Sequence, residues 1–323
     1  MRSSKVTTQI PQINMQQAKY RNFKFILTSI ASLMAVTSLS MMPASAELKS
    51  YSQPTDPETG GYGGFPEWYE DSTGLKLELC LAPSIDRPTP PNYCLTEPPN
   101  PDAPASVSIE DTALSNFPDE AFWWTAEAQV QQPVVINGVR RNISAILVLA
   151  SEAAFGNDEV IDGDQLAFNR TRIRIEGNAL KNNTKYKVSY PYGVKVLTAT
   201  QKDRRKPPAI NVTEDFGCAP GAINGCDFGN LLVASANRGR LLNRIGAPWL
   251  KWDTSLPAAP AGYIADPNVD HKVIGSPIAD SKHITGFQNY FKVEELAADG
   301  VTVVGAPIAY TELFSVSGKL STR

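Results

Sequence analysis

Histidine is nearly missing from this chain: His271 and His283 are the only two among 323 residues. A histidine-rich metal centre is thereby excluded. A Ser-His-acid triad would have to use one of the two, yet no G-x-S-x-G nucleophile elbow occurs in the sequence. No two cysteines stand at the C-x-x-C spacing of zinc and dithiol redox sites. Net charge is small as well, 30 Lys and Arg against 33 Asp and Glu giving −3, and no Lys/Arg run marks a phosphate-binding face. Nucleic acid is therefore a poor partner. The one basic cluster, KDRRKPP at 202–208, ends in a double proline and reads as an exposed loop.

What is present begins with an address. Lys19, Arg21 and Lys24 precede an apolar run from Phe25 to Met42 that closes on Ala44-Ser45-Ala46, the pattern of a secretory signal peptide over 1–46. Thr28, Ser29, Ser32 and Thr37 dilute the run, which favours cleavage over a retained anchor. The expectation is a secreted or periplasmic protein with no membrane span after signal cleavage. No cysteine follows the cleavage motif, so a lipid anchor is not indicated. Cys80, Cys94, Cys218 and Cys226 all lie in the exported part, where thiols pair, and proximity predicts Cys80 with Cys94 and Cys218 with Cys226.

Processing leaves 277 residues (323 minus 46), enough for a large core or two modules. Segment 47–118 holds nearly half of the 25 prolines, which excludes regular helix or central strand over most of it. Within it Leu75, Leu77 and Leu79 alternate with Lys76, Glu78 and Cys80, predicting a short disulfide-tied hairpin or edge strand. From 119 to 200 the pattern is repetitively β: FWWTAEAQV, ISAILVLASEAAF and TRIRIEG, then KYKVSY, a break at Pro191 to Gly193, and VKVL. Segment 201–323 offers shorter strand candidates between Pro, Gly and Asp turns, and one helical stretch at 229–246 that Gly239 interrupts. Short strands at about ten-residue intervals predict an all-β protein of two packed sandwich-like modules with one short helix.

Candidate sites are few. The stretch FGNDEVIDGDQLAFNRTRIRIEG places Asp158, Glu159, Asp162 and Asp164 before Arg170, Arg172 and Arg174. An EF-hand fails here, because position 3 from Asp158 is Val160 and position 12 is Asn169. The four acids remain a candidate calcium set, against a plain turn about Gly163; no other cofactor is indicated. Arg172 and Arg174 should share the outer face of a strand, where an opposed strand bearing Lys185 and Lys187 would crowd them unless Glu176 or the acidic turn intervenes. Carboxylates for a glycosidase pair could come from Glu67, Glu70, Asp71, Glu127, Glu214 and Asp215, which sequence cannot rank. Trp123 and Trp124 are adjacent, so on a regular strand one ring would face outward as a sugar platform; the competing reading covers it with the N-terminal segment or the second module. Trp68 with Tyr69 and Trp249 with Trp252 are further candidates. Asn142, Asn169, Asn182 and Asn211 open N-x-[ST] sequons.

The ordered set GFPEWYEDSTGLKLELCL, NFPDEAFWWTAEA, DGDQLAFNRTRIRIEG, YPYGV, GYIADPN and LFSVSGKL, spanning 65–320, resembles an uncharacterised family of exported bacterial proteins, β-rich and described as hypothetical or Ig-like. The resemblance implies a fold class and brings no activity and no site residues. The leading expectation is a non-enzymatic binder of glycan, envelope component or protein. Its alternative is a secreted carbohydrate-active hydrolase carrying a carboxylate pair on a β-scaffold.

Overall fold

The computed structural model describes residues 48–57, 59, 61–81, 93–94, 96–97, 118, 120–156, 160–218, 226–232, 248–255 and 257–323. The signal peptide over 1–46, most of the proline-rich connector and most of the helix expected over 229–246 lie outside them; only a 3-10 turn, Phe228–Leu231, falls in the described part of that last stretch.

The architecture is all-β, in three antiparallel sheets. The N-terminal segment forms β1 (Ser50–Tyr51), β2 (Trp68–Glu70), β3 (Lys76–Glu78) and β4 (Thr96–Glu97). The middle supplies β5 (Glu120–Ile136), β6 (Val139–Phe155), β7 (Gln165–Glu176), β8 (Lys185–Tyr190), β9 (Gly193–Thr198) and β10 (Ala209–Gly217). The last third adds β11 (Lys251–Trp252), β12 (His271–Ile274), β13 (Phe291–Glu295), β14 (Ala309–Thr311), β15 (Leu313–Ser317) and β16 (Lys319–Leu320). An eight-stranded sheet runs β10-β7-β6-β5-β15-β12-β11, with β4 also on β5; the four-stranded sheets run β1-β2-β3-β16 and β14-β13-β8-β9.

β5 and β6 form the longest hairpin, 17 residues a side. Asn137 and Gly138 join them at φ 51° and 76°, the paired positive dihedrals of a type I′ turn, whose twist matches that of the flanking strands. In such a hairpin the closing pair, Ile136 and Val139, bonds inward, and inward pairs recur at every second residue. Pro133, three residues back from Ile136, therefore turns its missing N–H to the open edge of β5, where it blunts pairing with a foreign strand.

One buried apolar cluster draws on all three sheets, with Tyr69 and Leu77 from the first, Leu147, Leu149, Ile173 and Phe314 from the second, and Tyr186, Val188, Phe291 and Val293 from the third. The boundary read near residue 200 does not divide the sheets. β13 pairs with β8 and β15 with β5, so chain from either side of it shares the eight-stranded sheet and the β14-β13-β8-β9 sheet. The carboxyl-terminal strand returns to the first sheet, where β16 pairs with β3, Lys319 Nζ meets Glu78 Oε1 at 2.5 Å and Arg323 Nη1 donates to Glu67 Oε2 at 2.9 Å. Both disulfides form as proximity predicts, Cys80–Cys94 and Cys218–Cys226. KDRRKPP is a largely exposed turn between β9 and β10.

Candidate binding face

Alternation along β5, β6, β7 and β10 sends one set of side chains into the core and the other to the outer face of the large sheet. Inward go Ala126, Ala128, Leu147, Leu149, Ile173 and Ile175, all buried. Outward, register aligns cross-strand rows: Glu127, Val148, Arg172 and Thr213 in one, Gln129, Ile146, Arg174 and Asn211 in the next, then Gln131, Ser144, Glu176 and Ala209. Successive rows stand about 7 Å apart, two residues of strand rise. Glu127, Gln129, Gln131, Arg174, Glu176, Asn211 and Thr213 are exposed, while Ile146 and Val148 are half-buried between them. The result is a low apolar strip along β6, flanked by amides, hydroxyls and charges.

Beyond the third row β7 ends and β10 has not begun, whereas β5 and β6 run on as a two-stranded arm. The step between them is a groove of about 480 Å³, lined by Gln131, Pro133, Asn142, Ser144, Glu176 and Pro207. Gly177 makes the step possible. Its φ is 139°, and a side-chain carbon there would collide with the Asn142 carbonyl oxygen. Asn178 then bonds the arm, its Oδ1 accepting from Asn142 N at 2.6 Å and its carbonyl from Arg141 Nη1 at 3.0 Å.

At the other end of the face Arg170 gathers acids. Its Nε and Nη2 donate to the two oxygens of Asp215 at 2.9 and 3.1 Å, and its Nη1 lies 2.8 Å from Glu152 Oε2 and 3.9 Å from Glu120 Oε1. Among the described residues these acids engage Arg170 alone; the crowding expected of Arg172 and Arg174 does not arise because β7 pairs with β6 and β10, while the lysine-bearing β8 lies in another sheet. Glu152 is buried, and its Oε2, although close to Arg170, makes no hydrogen bond. Burial pushes the Glu152 carboxyl up to about 8; the Arg170 guanidinium opposes this, but it is shared with Glu120 and Asp215, whose charges add to the rise.

The pH consequence follows from linkage. A carboxyl whose folded pKa is raised holds its proton in the native state after the unfolded chain has released it. Its contribution is fully present below about pH 4.5 and is lost as pH rises toward about 8. Glu152→Gln, which keeps a neutral side chain of the same shape, should melt like the parent near pH 4.5 and above it at pH 8 to 9. Melting temperatures of the two proteins across that range measure the gap; a gap that is constant with pH would contradict the burial of this acid.

The tryptophan expectation is corrected. Trp123 and Trp124 are both fully buried, because a β-bulge sets both against Ser151 and cancels the alternation that would have turned one ring outward. Trp123 packs edge-on against Tyr69 and donates to the Pro66 carbonyl at 3.1 Å, and Trp124 meets Tyr192 edge-on and donates to the Leu250 carbonyl at 2.9 Å. The covering read as the alternative is what occurs, from the N-terminal segment on one ring and the later chain on the other. Trp249 and Trp252 are buried too.

Of the candidate calcium set, Asp158 and Glu159 lie outside the described residues. Asp162 Oδ1 accepts from Gln165 Nε2 at 3.0 Å, and Gln165 Oε1 accepts from Gly163 N at 2.7 Å, so these groups stabilise the turn that Asp164 closes. Among the described residues no three His, Cys, Asp or Glu side chains are grouped to hold a metal ion.

The other carboxylates are dispersed. Glu67 holds Arg323, Glu70 holds Lys49 at 2.7 Å, Glu214 holds Lys195 at 2.7 Å, and Asp71 is buried in a turn; only Asp215 joins Arg170, while Glu127 stands on the open face. Asn169 is buried, its Oδ1 accepting from Ser151 Oγ at 2.7 Å, which removes it as a glycan acceptor. His271 stacks on Trp252. His283 lies between Thr285 Oγ1 at 2.7 Å and Glu312 Oε1 at 3.1 Å, but Thr285 Oγ1 is also held by the Phe287 main chain and Asn289 Nδ2, the bonding of a turn cap. Sequence reasoning did not single out Gln129 and Thr213, and it read Asn211 only as the start of a sequon. Their signal was present in AEAQVQQ and AINVTED, read with the same alternation that placed Arg172 and Arg174.

Comparison with family models, with curated proteins and with solved structures returned no match. Among the described residues no helix is long and apolar enough to cross a membrane.

Proposed function

We propose that this chain is an exported, secreted or periplasmic, non-enzymatic β-sandwich protein that binds a glycan or envelope component on the outer face of its large sheet. The observation that carries the reading is the ordered, exposed set of rows from Glu127 to Asn211, with an apolar strip at its centre and a groove at its end. Amide and guanidinium groups at fixed spacing on a rigid sheet are pre-ordered to bond hydroxyls, so little conformational entropy is lost on binding. The two disulfides suit an oxidising compartment, and the Ala44-Ser45-Ala46 motif supplies the route.

A glycan array probed with residues 47–323, beside the double variant Gln129→Ala/Arg174→Ala, tests this. Signal from the parent and its loss in the variant are expected. A parent with no signal on any glycan overturns the glycan form and leaves a protein partner.

A second reading, the carbohydrate-active hydrolase, draws on Glu152 as a proton-bearing acid near Asp215 at one end of the same face. Reducing-end release by the parent but not by Glu152→Gln would replace binding with turnover.

A further inference from the structure

On the reading that the outer face binds a glycan, we infer that its ligand is an acidic polysaccharide, a chain bearing carboxylates at intervals, laid along β6 with those groups on Arg172 and Arg174. Neither guanidinium makes an ion pair among the described residues, whereas the next arginine on the same strand face, Arg170, is fully engaged by Asp215 and Glu152. Arg172 Nε is buried and makes no hydrogen bond. That buried atom is out of reach of a ligand, but a carboxylate laid on the outer face would give the guanidinium a charge-assisted partner of the kind Arg170 already has. The two cations sit in adjacent rows about 7 Å apart, so they address a chain with spaced charges.

The neighbours narrow the class. Asn211 flanks Arg174, Thr213 flanks Arg172, and Gln129 closes the Arg174 row across Ile146, offering donors and acceptors together, as vicinal hydroxyls require. Ile146 and Val148 form a floor for the C–H face of a sugar ring. Glu127 and Glu176, at the far strand and in the third row, accept hydrogen bonds from hydroxyls and repel a ligand that is anionic at every position. A phosphate-dense polymer would meet those two acids, and a polyglutamate has no sugar ring to lay on the Ile146–Val148 floor.

Binding of the mature chain to polygalacturonate, to its methyl ester and to polyglutamate, by calorimetry at low and high salt, decides the matter. Polygalacturonate is expected to bind and to weaken with salt, the ester and polyglutamate to bind at least tenfold more weakly, and Arg172→Gln and Arg174→Gln each to lose roughly tenfold on the acid polymer. Arg204→Gln, in the exposed β9–β10 turn, should bind like the parent, and melting curves verify that each variant is folded. Equal affinity for the acid and its ester overturns the charge assignment and leaves the glycan face standing. Equal affinity for polyglutamate overturns the sugar assignment. No binding to either sugar polymer, together with a blank glycan array, overturns the face as a glycan site altogether.

Discussion

Trp124→Ala is expected to lower the free energy of unfolding by roughly 3–5 kcal/mol and to bring the melting midpoint down by roughly 10 °C. The indole is fully buried, so its removal leaves a cavity where Tyr192 and the Leu250 segment meet β5. It also strips the Leu250 carbonyl of its donor. Trp124→Phe restores most of the volume without the N–H and should cost less. Because neither ring of the Trp123-Trp124 pair reaches the surface, ligand affinity of Trp124→Phe measured well below its midpoint should equal that of the parent. Thermal denaturation read by circular dichroism, with a binding isotherm on the same sample, checks both statements.

Asp71→Ala should be comparably damaging. The carboxylate is wholly buried, and each of its oxygens is used: Oδ1 accepts from Thr73 N, Thr73 Oγ1 and Leu75 N at 2.8, 2.6 and 3.0 Å, while Oδ2 accepts from Trp249 N at 3.1 Å. One side chain thus closes the β2–β3 turn and fastens it to a segment 178 residues away in sequence. Alanine would leave the buried Trp249 N–H without an acceptor and release the turn that the exposed Thr73 and half-buried Leu75 donors close on this carboxylate, at a combined cost of roughly 3 kcal/mol. Asp71→Asn keeps one acceptor for the turn but presents an N–H to Trp249 N, and should recover only part of the loss. Urea denaturation of the three proteins orders them; an alanine variant within 1 kcal/mol of the parent, on the order of a single surface contact, would contradict this role.

Both residues mark where sequence was readable and where it was not. Strand periodicity in TRIRIE and KYKVSY is local, and β7 and β8 lie where it put them. Proximity of the cysteines was sufficient for their pairing, since short loops close at least cost. The bulge at Trp123 was invisible, because one extra residue in a strand is chosen by the core it serves and leaves no mark in an alternation that both tryptophans satisfy. Asp71, read only as one acid among several, has a partner in Trp249 that no local pattern connects to it. The pairing of β15 with β5 and of β13 with β8 is likewise long-range, which is why a chain division near 200 looked natural and the sheets ignore it. For the proposed binding face, alternation told which side chains share a side of the sheet. Whether another layer covers that side is decided by tertiary packing alone.

The central claim, that the outer face of β5, β6, β7 and β10 is the working surface, is tested most directly by covalent footprinting of arginine with phenylglyoxal, read by mass spectrometry with and without polygalacturonate. Arg174 and Arg172 should lose reactivity when the polymer is present while Arg204 and Arg205, in the exposed turn, keep theirs. Unchanged labelling of Arg172 and Arg174 under conditions where the polymer is demonstrably bound would place the surface elsewhere and contradict it.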